Sequence, residues 1–523
     1  MKYSNYLILI FCITLGACKK TIDFVPESNL SSATFYKTEA DMRIAVAGCY
    51  NGMQRPMNNE WQLTELRSDN SKQAETGSQN SFNLDNNTMD MFFPATGNSA
   101  IYTYWLNTYN NIRNTNIVLQ KLGVTYDPAA GAINFGTTNI PMTDSVRKQL
   151  AGEAMFIRAN HYFNLVRLYG GVFLVHTPIS AAEAKTINRS SINDIYKLIL
   201  ADLTTASTNL SGKTFSQIAS GGGADVGKAS LWAAKALLGK VYITLGRKPE
   251  AITELSSVAT ASGYGLETTY ANVFSITNEM NKEIIFTVRY KAGGLGLGSS
   301  FGNDFAPLSS GSTVINGSGQ GWNNATFDLD TAYMTTIAAT PVYDPRRTVN
   351  IGSFGSGNSL RLYPKKYINQ VVITNDGESD WPVIRYADVI LMLAEAQGNN
   401  ATSIGYINAV RARAGVTALS TVLTIPQFEL ALSKERRLEF AFENQRFFDL
   451  VRFNTTLTTI TAEQTIKNHF AIEYAKHYAN YPVPRLTLAE LQAKVDANHL
   501  LLPIPQYEID TNTQLVIAQN PGY

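Results

Sequence analysis

Cysteine is nearly missing from this chain of 523 residues, and charge is scarce. Of three cysteines, Cys12 and Cys18 lie at the N-terminal end, which leaves Cys49 alone in the body. No internal disulfide can form there, so an exported protein of this composition relies on the size of its core. Hydrophobic residues make up 45% of the chain, enough for a large core. Charged residues are 16%, where a quarter is usual, and 43 basic residues nearly cancel 42 acidic ones. A net charge of +1 argues against a nucleic-acid binder. The five histidines (His161, His176, His469, His477, His499) show no metal spacing, because His469 and His477 can share a helix face but have no third ligand. No apolar run beyond the N-terminus is long enough to cross a membrane. What fills the chain instead is Asn, Ser, Thr and Gly with 26 Tyr and 24 Phe, a composition suited to neutral polar ligands such as sugars.

The N-terminus is the exception to the lack of apolar runs. Lys2 is the only charge before Cys18, and Tyr6–Leu15 is mostly apolar. Ten or so residues are too few to span a bilayer, which takes about 20. The stretch reads as a secretory signal over residues 1–17. Leu15-Gly16-Ala17-Cys18 places small residues directly before a cysteine, a lipoprotein cleavage pattern in which Cys18 becomes the acylated first residue. Each buried CH₂ adds about 0.8 kcal/mol, so a multiply acylated (palmitate-type) anchor is effectively permanent. Residues 18–30 read as a tether with Pro26.

Helical patterns dominate the rest. A helix is expected from Ser31–Thr34 through Met53, and others over Tyr102–Leu122, Val146–Leu168 and Ser191–Leu210. Further ones are expected over Lys228–Leu245, Arg385–Gln397, Ser403–Ala414 and Phe428–Phe453. In KASLWAAKALLGKVYITL, Leu238-Gly239, Tyr242, Leu245-Gly246 and Ala251 match the tetratricopeptide pattern, in which small residues let paired helices approach. The repeats are diverged and interrupted, so a regular solenoid is not expected. Residues 54–100 read as irregular, Ile284–Tyr290 as a strand, and the Gly/Ser-rich stretch to about residue 325 as loop with scattered aromatics. Three regions follow (31–220, 221–330 and 331–523), forming one unit.

The most informative segment is 434–453, KERRLEFAFENQRFFDLVRF. Acidic and basic residues alternate through it without Gly or Pro. On one helix, Arg436–Glu439, Glu443–Arg446 and Asp449–Arg452 would face each other. These charges fit ion pairs packed between helices better than acid–base catalysis. The segment closely resembles the ERR-x-E-x-x-x-E-x-Q-R-x-x-D-L-x-R signature of the SusD/RagB family of Bacteroidetes. The likeness extends through Tyr109-Asn-Asn-Ile112, AEAMFIRANHYFNLVRLYGGV, Trp381-Pro382-Val-Ile-Arg385-Tyr386, Leu502-Pro503-Ile504-Pro505 and the terminal Gln519-Asn520-Pro521-Gly522-Tyr523.

This resemblance implies a mostly α fold of irregular tetratricopeptide-like helix pairs with long loops and a few short strands. It implies a lipid-anchored, surface-exposed outer-membrane protein that captures a nutrient, an oligosaccharide or alternatively a peptide. The ligand would pass to a SusC-like TonB-dependent transporter, with no bond made or broken and no cofactor. One departure bears on surface display: Lys19-Lys20 stand where exported relatives often carry acidic residues. Relatives that bind glycans place aromatics on loops away from the repeats. By that resemblance the ligand-binding candidates are Trp61, Phe92, Phe93, Phe301 and Trp322, with Arg67, Asp69 and Asn98 as polar partners. Trp105 and Trp232 sit in helices and read as buried.

Two alternatives remain at this level, a carbohydrate-active hydrolase and a protein-interaction scaffold. Glu378 and Asp380 beside Trp381 are the carboxylates that best fit a hydrolase, whose pair must flank the scissile bond. GGADVGK at 222–228 lacks the Ser or Thr that a phosphate-binding loop places after its Lys. Gly298-Ser-Ser300-Phe-Gly302 matches a hydrolase nucleophile by letter, but no helix is expected after it.

Overall fold

Polar caps set where the helices begin. Thr38, Asn98, Thr143, Ser191, Ser230, Asn400, Thr424 and Thr461 each accept a hydrogen bond from a backbone N–H of the helix that follows. Such a cap satisfies one of the orphan donors at a helix start. The computed structural model describes residues 35–73, 81–223, 225–337, 340–481, 484–512 and 514–523. The expected signal, Cys18 and tether lie outside the described residues.

The longer helices are α1 (Glu39–Asn51), α2 (Gln54–Thr64), α3 (Ser81–Asp90), α4 (Ser99–Lys121), α5 (Asp144–Tyr169), α6 (Ile192–Asn209) and α7 (Leu231–Thr244). They continue with α8 (Lys248–Ala261), α9 (Tyr386–Gln397), α10 (Ala401–Arg413), α11 (Ile425–Glu439), α12 (Arg446–Thr456) and α13 (Ala462–Glu473). From α4 to α10 each helix packs on the next in chain order. This is the expected tetratricopeptide-like stack, and it continues from α8 to α9 across the long excursion between them. Gly239 shows how close the pairs come: a Cβ there would lie 2.5 Å from Leu255 Cγ of α8. Trp105 and Trp232 are buried, as expected for helical tryptophans.

The excursion between α8 and α9 holds most of the β structure. Strand β4 (Ile284–Val288) pairs antiparallel with β10 (Trp381–Arg385), which leads into α9. Short hairpins join β2 (Val124–Asp127) to β3 (Ala132–Phe135), β6 (Met334–Ile337) to β7 (Thr340–Tyr343), and β8 (Ile351–Phe354) to β9 (Arg361–Pro364). A further short pair joins β1 (Ser71–Lys72) to β5 (Asn324–Ala325).

Two expectations need correction. Residues 54–100 are not irregular, since α2, a 3₁₀ turn at Glu65–Arg67, α3 and the start of α4 occupy most of them. The segment 434–453 is not one helix. It breaks after Glu439 and resumes at Arg446, with Phe442 (φ 63°) and Asn444 (φ 60°) in the left-handed region. Tertiary hydrogen bonds hold that strained turn. The buried Glu65 carboxyl accepts from Asn444 N at 2.6 Å, and the Tyr367 hydroxyl donates to the Phe442 carbonyl at 3.0 Å.

The break parts Glu443 from Arg446, and tertiary partners compete for the rest. Of the three local pairs, only Arg452–Asp449 forms, at 2.8 Å. Arg436 instead joins Asp388 of α9 and Asp449 of α12, while Lys240 of α7 holds the other Asp388 oxygen at 2.6 Å. Arg452 reaches Glu395 of α9. Glu439 meets Arg346, Arg385 and Arg413, and Glu443 meets Lys366 and Arg385. The expectation of ion pairs packed between helices therefore holds. Most partners lie far away in sequence, and these charged side chains are buried, that of Arg413 at 3% exposure. Removing one partner from such a pair leaves an uncompensated buried charge and costs about 3–5 kcal/mol.

Candidate functional site

A cavity of about 440 Å³ opens where β1, β5, β9 and the end of α13 meet. Local chemistry builds its wall. Ser71 and Lys72 face Ala325 and Asn324 across the β1–β5 ladder. The next residue, Thr326, caps the short helix Phe327–Ala332 by accepting from Leu329 N, and its hydroxyl donates to the Asp69 carbonyl just before β1. The two strands and the helix start are thereby fixed to one another. Hairpin β8–β9 lies alongside β5 and brings Gly357, Leu360, Arg361 and Leu362, and the turn after α13 brings Lys476, His477 and Asn480.

One flat ring and several strong hydrogen-bonding groups line this cavity. Phe327 is half-buried. Lys72 Nζ lies 4.8 Å and Lys476 Nζ 4.9 Å from its ring centroid, distances at which cations are drawn to a π face. Lys72 also reaches the buried Glu473 at 3.3 Å, whose other oxygen accepts from Asp328 N. Gln73 is fully buried, and neither end of its side-chain amide has a partner among the described residues. Its backbone is tied down, the N–H donating to Asp90 at 3.0 Å and the carbonyl accepting from the Tyr481 hydroxyl. Asn324 Oδ1 is likewise unpaired. A buried amide without a partner costs about 1–3 kcal/mol, so both are under-satisfied parts of the cavity wall. Behind the wall, Asp90 gathers hydrogen bonds from Tyr478, Tyr481, His477 and Gln73 N, which stiffens the scaffold.

A second cavity, of about 390 Å³, lies against α4 and is mostly apolar, with Trp105, Tyr109, Ile112, Phe173, Val175 and Ile187 in its lining. Among the described residues no group of three or more His, Cys, Asp or Glu is placed to hold a metal ion, and no helix is long and apolar enough to cross a membrane.

The structure puts most of the sequence-derived candidates inside the protein. Trp61 is buried, edge-on to Phe305 and stacked on Trp322 at 6.3 Å. Phe301 is buried among Trp381, Tyr290, Phe305 and Tyr367. Phe92 is buried against Phe447 and Phe470, and Arg67 lies over Phe92 and Phe447 and donates to the His499 carbonyl. Burial lowers the Arg67 pKa to about 10. Asn98 caps α4. Asp69 accepts twice from Arg446 and pairs with Arg437. Burial alone would raise the Asp69 carboxyl, but Arg437 and Arg446 outweigh it and hold it well below the ordinary value. Only Trp322 and Phe93 keep partial exposure, and neither lines the 440 Å³ cavity. These aromatics were expected in loops, yet Trp61 lies on α2 and Phe301 on a five-residue helix, and the rings of Trp61, Phe92 and Phe301 fill the core.

Other expected groups also have structural partners. Glu378 takes Lys291 and Ala292 N, and Asp380 takes Arg289 and Tyr290 N, with burial raising Asp380 to about 7. A five-residue helix, Phe301–Phe305, does follow Ser300, contrary to expectation. The Ser300 hydroxyl donates to Asp304 at its far end.

Sequence reasoning missed Lys72, Gln73, Asn324, Phe327, Arg361 and Lys476. No motif joins them, because four separate segments supply them. The one available signal was proximity: Lys72 and Gln73 come a few residues after Arg67 and Asp69, and Phe327 a few after Trp322.

Residues 342–523 match the model of the SusD family, and residues 23–243 match a model described as starch-binding, associating with outer membrane. A SusD-like protein of Formosa agariphila is 25% identical over the full length of both chains. Among solved structures, a laminarin-binding SusD-like protein is 24% identical, with 93% of this chain and 100% of that one covered at a TM-score of 0.70. Surface glycan-binding protein A from Bacteroides thetaiotaomicron in complex with laminarihexaose is 17% identical, with 92% and 100% covered at a TM-score of 0.67.

Proposed function

Since the chain belongs to the SusD family, we propose that it is a glycan-binding protein of the outer membrane whose ligand sits in the cleft between β1, β5, β9 and the end of α13. One observation carries this reading: a half-buried flat ring, Phe327, stands among amide and cationic side chains that line one open cavity. Sugars present C–H faces that stack on such rings and hydroxyls that need planar polar partners. The family description and the glycan ligands of two structural relatives support the ligand class. Hydrolysis needs two carboxylates flanking the bond, whereas the described lining of this cleft carries cations and amides. The protein is held at the membrane by acylated Cys18 and hands its ligand to a SusC-like TonB-dependent transporter without chemical change.

Phe327→Leu tests the site, since it keeps apolar volume and removes the flat face. Stacking is worth about 0.5–1.5 kcal/mol, so glycan affinity by calorimetry should fall about three- to tenfold. Unchanged affinity in a folded variant would place the ligand elsewhere.

A further inference from the structure

We propose that the apolar trough along α4 receives this chain's own N-terminal segment, residues 19–34, which docks there and brings Cys18 to one end of the helix. That segment lies outside the described residues. What the docking means for the membrane rests on the reading of Cys18 as the anchor.

The trough is the cavity of about 390 Å³, lined by α4 from Trp105 to Arg113. That stretch of helix rises about 12 Å. Tyr109, Phe173 and Val175 give it an apolar floor, and Leu106 on its edge is 41% exposed. Covering such a surface is favourable in proportion to the apolar area removed from water. Charges of opposite sign mark the two ends. Glu508 stands beside Tyr102 and Tyr109, and its carboxylate has no hydrogen bond or ion pair among the described residues. Burial raises its pKa, and no cation lies near enough to offset that. Toward the other end Arg113 is exposed and without an ion pair among the described residues, and its charge is felt at Tyr36.

Position, length and charge all point to the N-terminal segment as the occupant. The described chain begins at Phe35, and the ring of Tyr36 lies 5.6 Å from Lys121 Nζ on this same helix. The preceding residues therefore enter from the Arg113 end and run back along α4. They read KKTIDFVPESNLSSAT. An extended stretch from Ile22 to Pro26 spans about 13 Å, the length of the trough. Side chains alternate along it, so Ile22, Phe24 and Pro26 face the trough while Asp23 faces water. Glu27 then falls toward Arg113, and Lys19-Lys20 fall toward Glu508, so each charge meets its opposite. The starch-binding family model matches from residue 23, which makes residues 23–34 part of the family pattern and not a linker of free sequence. Docked this way, the acyl chains of Cys18 leave the protein near Tyr102 and Tyr507, whose rings lie 4.9 Å apart, and that end of α4 faces the membrane.

Disulfide trapping in the full membrane-bound chain tests this. Cys49, the thiol of the folded body, is buried and does not compete. Phe24→Cys combined with Leu106→Cys should cross-link within one chain about tenfold faster than Phe24→Cys combined with Ile44→Cys, because docking raises the local concentration at the trough alone. Ile44 is an exposed residue of α1, close to where the described chain begins. Adding Glu508→Lys should slow the Leu106 cross-link about threefold, the size expected of a weak pair near the surface. Equal rates for the two cysteine pairs would overturn the inference, and so would a fast Leu106 cross-link that Glu508→Lys leaves unmoved. Cross-links between two chains would put a second copy in the trough and overturn it as well. A Cys18→Ala background that keeps the fast cross-link but stays with the membrane after a carbonate wash would leave the docking standing and remove only the anchor reading.

Discussion

Asp69→Asn separates a structural tie from a ligand contact. The carboxylate accepts from Arg446 Nε and Nη2 at 2.7 and 2.9 Å and lies 3.1 Å from Arg437 Nε. All three side chains are largely buried, so the amide leaves two guanidinium groups short of their counter-charge. Arg437 keeps Asp328 at 3.2 Å, and the amide keeps one acceptor, which puts the loss at the lower end of the range for a broken buried pair, about 3 kcal/mol. Unfolding entropy is about 2 cal/mol/K per residue, so for the 476 described residues 1 kcal/mol shifts Tm by about 1 °C. The variant should therefore melt about 3 °C lower by calorimetry. The pH dependence carries a second signature. The folded carboxyl lies below its unfolded value of about 3.9, so its contribution is present above about pH 4 and is lost as pH falls through the folded value. The gap between variant and parent should stay constant from about pH 5 to 8 and close below about pH 4. A variant with unchanged Tm and lost glycan binding would refute this account and return Asp69 to the ligand.

Cys18→Ala should release the protein from the outer membrane or leave it unprocessed; retention with the membrane fraction after a carbonate wash would count against the anchor. Gly239→Ala sets helix propensity against packing. Alanine favours a helix by about 1 kcal/mol, but its Cβ would lie 2.5 Å from Leu255 Cγ, and overpacking costs about 1–3 kcal/mol. A lower Tm is expected, and a raised Tm would show that α7 and α8 do not approach so closely.

The sequence by itself determined most of the helices and the family. Periodicity is local, so the helices over Ser191–Leu210, Lys228–Leu245 and Ser403–Ala414 were legible to within a few residues, and Gly239 with Ala251 marks a close pair. It also determined that the charges of 434–453 are bound up in ion pairs, because so many charges threaded between large apolar residues must be neutralised on burial. Tertiary structure decided which pairs form. Local spacing favoured Arg436–Glu439, yet Arg436 reaches Asp388 and Asp449 while Glu439 reaches Arg346, Arg385 and Arg413, and the turn that parts Glu443 from Arg446 is held by Glu65 and Tyr367 from elsewhere. The site divides the same way. A composition suited to sugars was legible in the aromatic and amide content, yet Trp61, Phe92 and Phe301 went to the core, because burial stabilises a large apolar ring wherever the fold can enclose it. The cleft drew instead on Lys72, Asn324, Phe327, Arg361 and Lys476, whose meeting depends on a short β1–β5 ladder joining segments more than two hundred residues apart. Long-range pairing of that kind leaves no period in the sequence, so only the folded chain brings the site together.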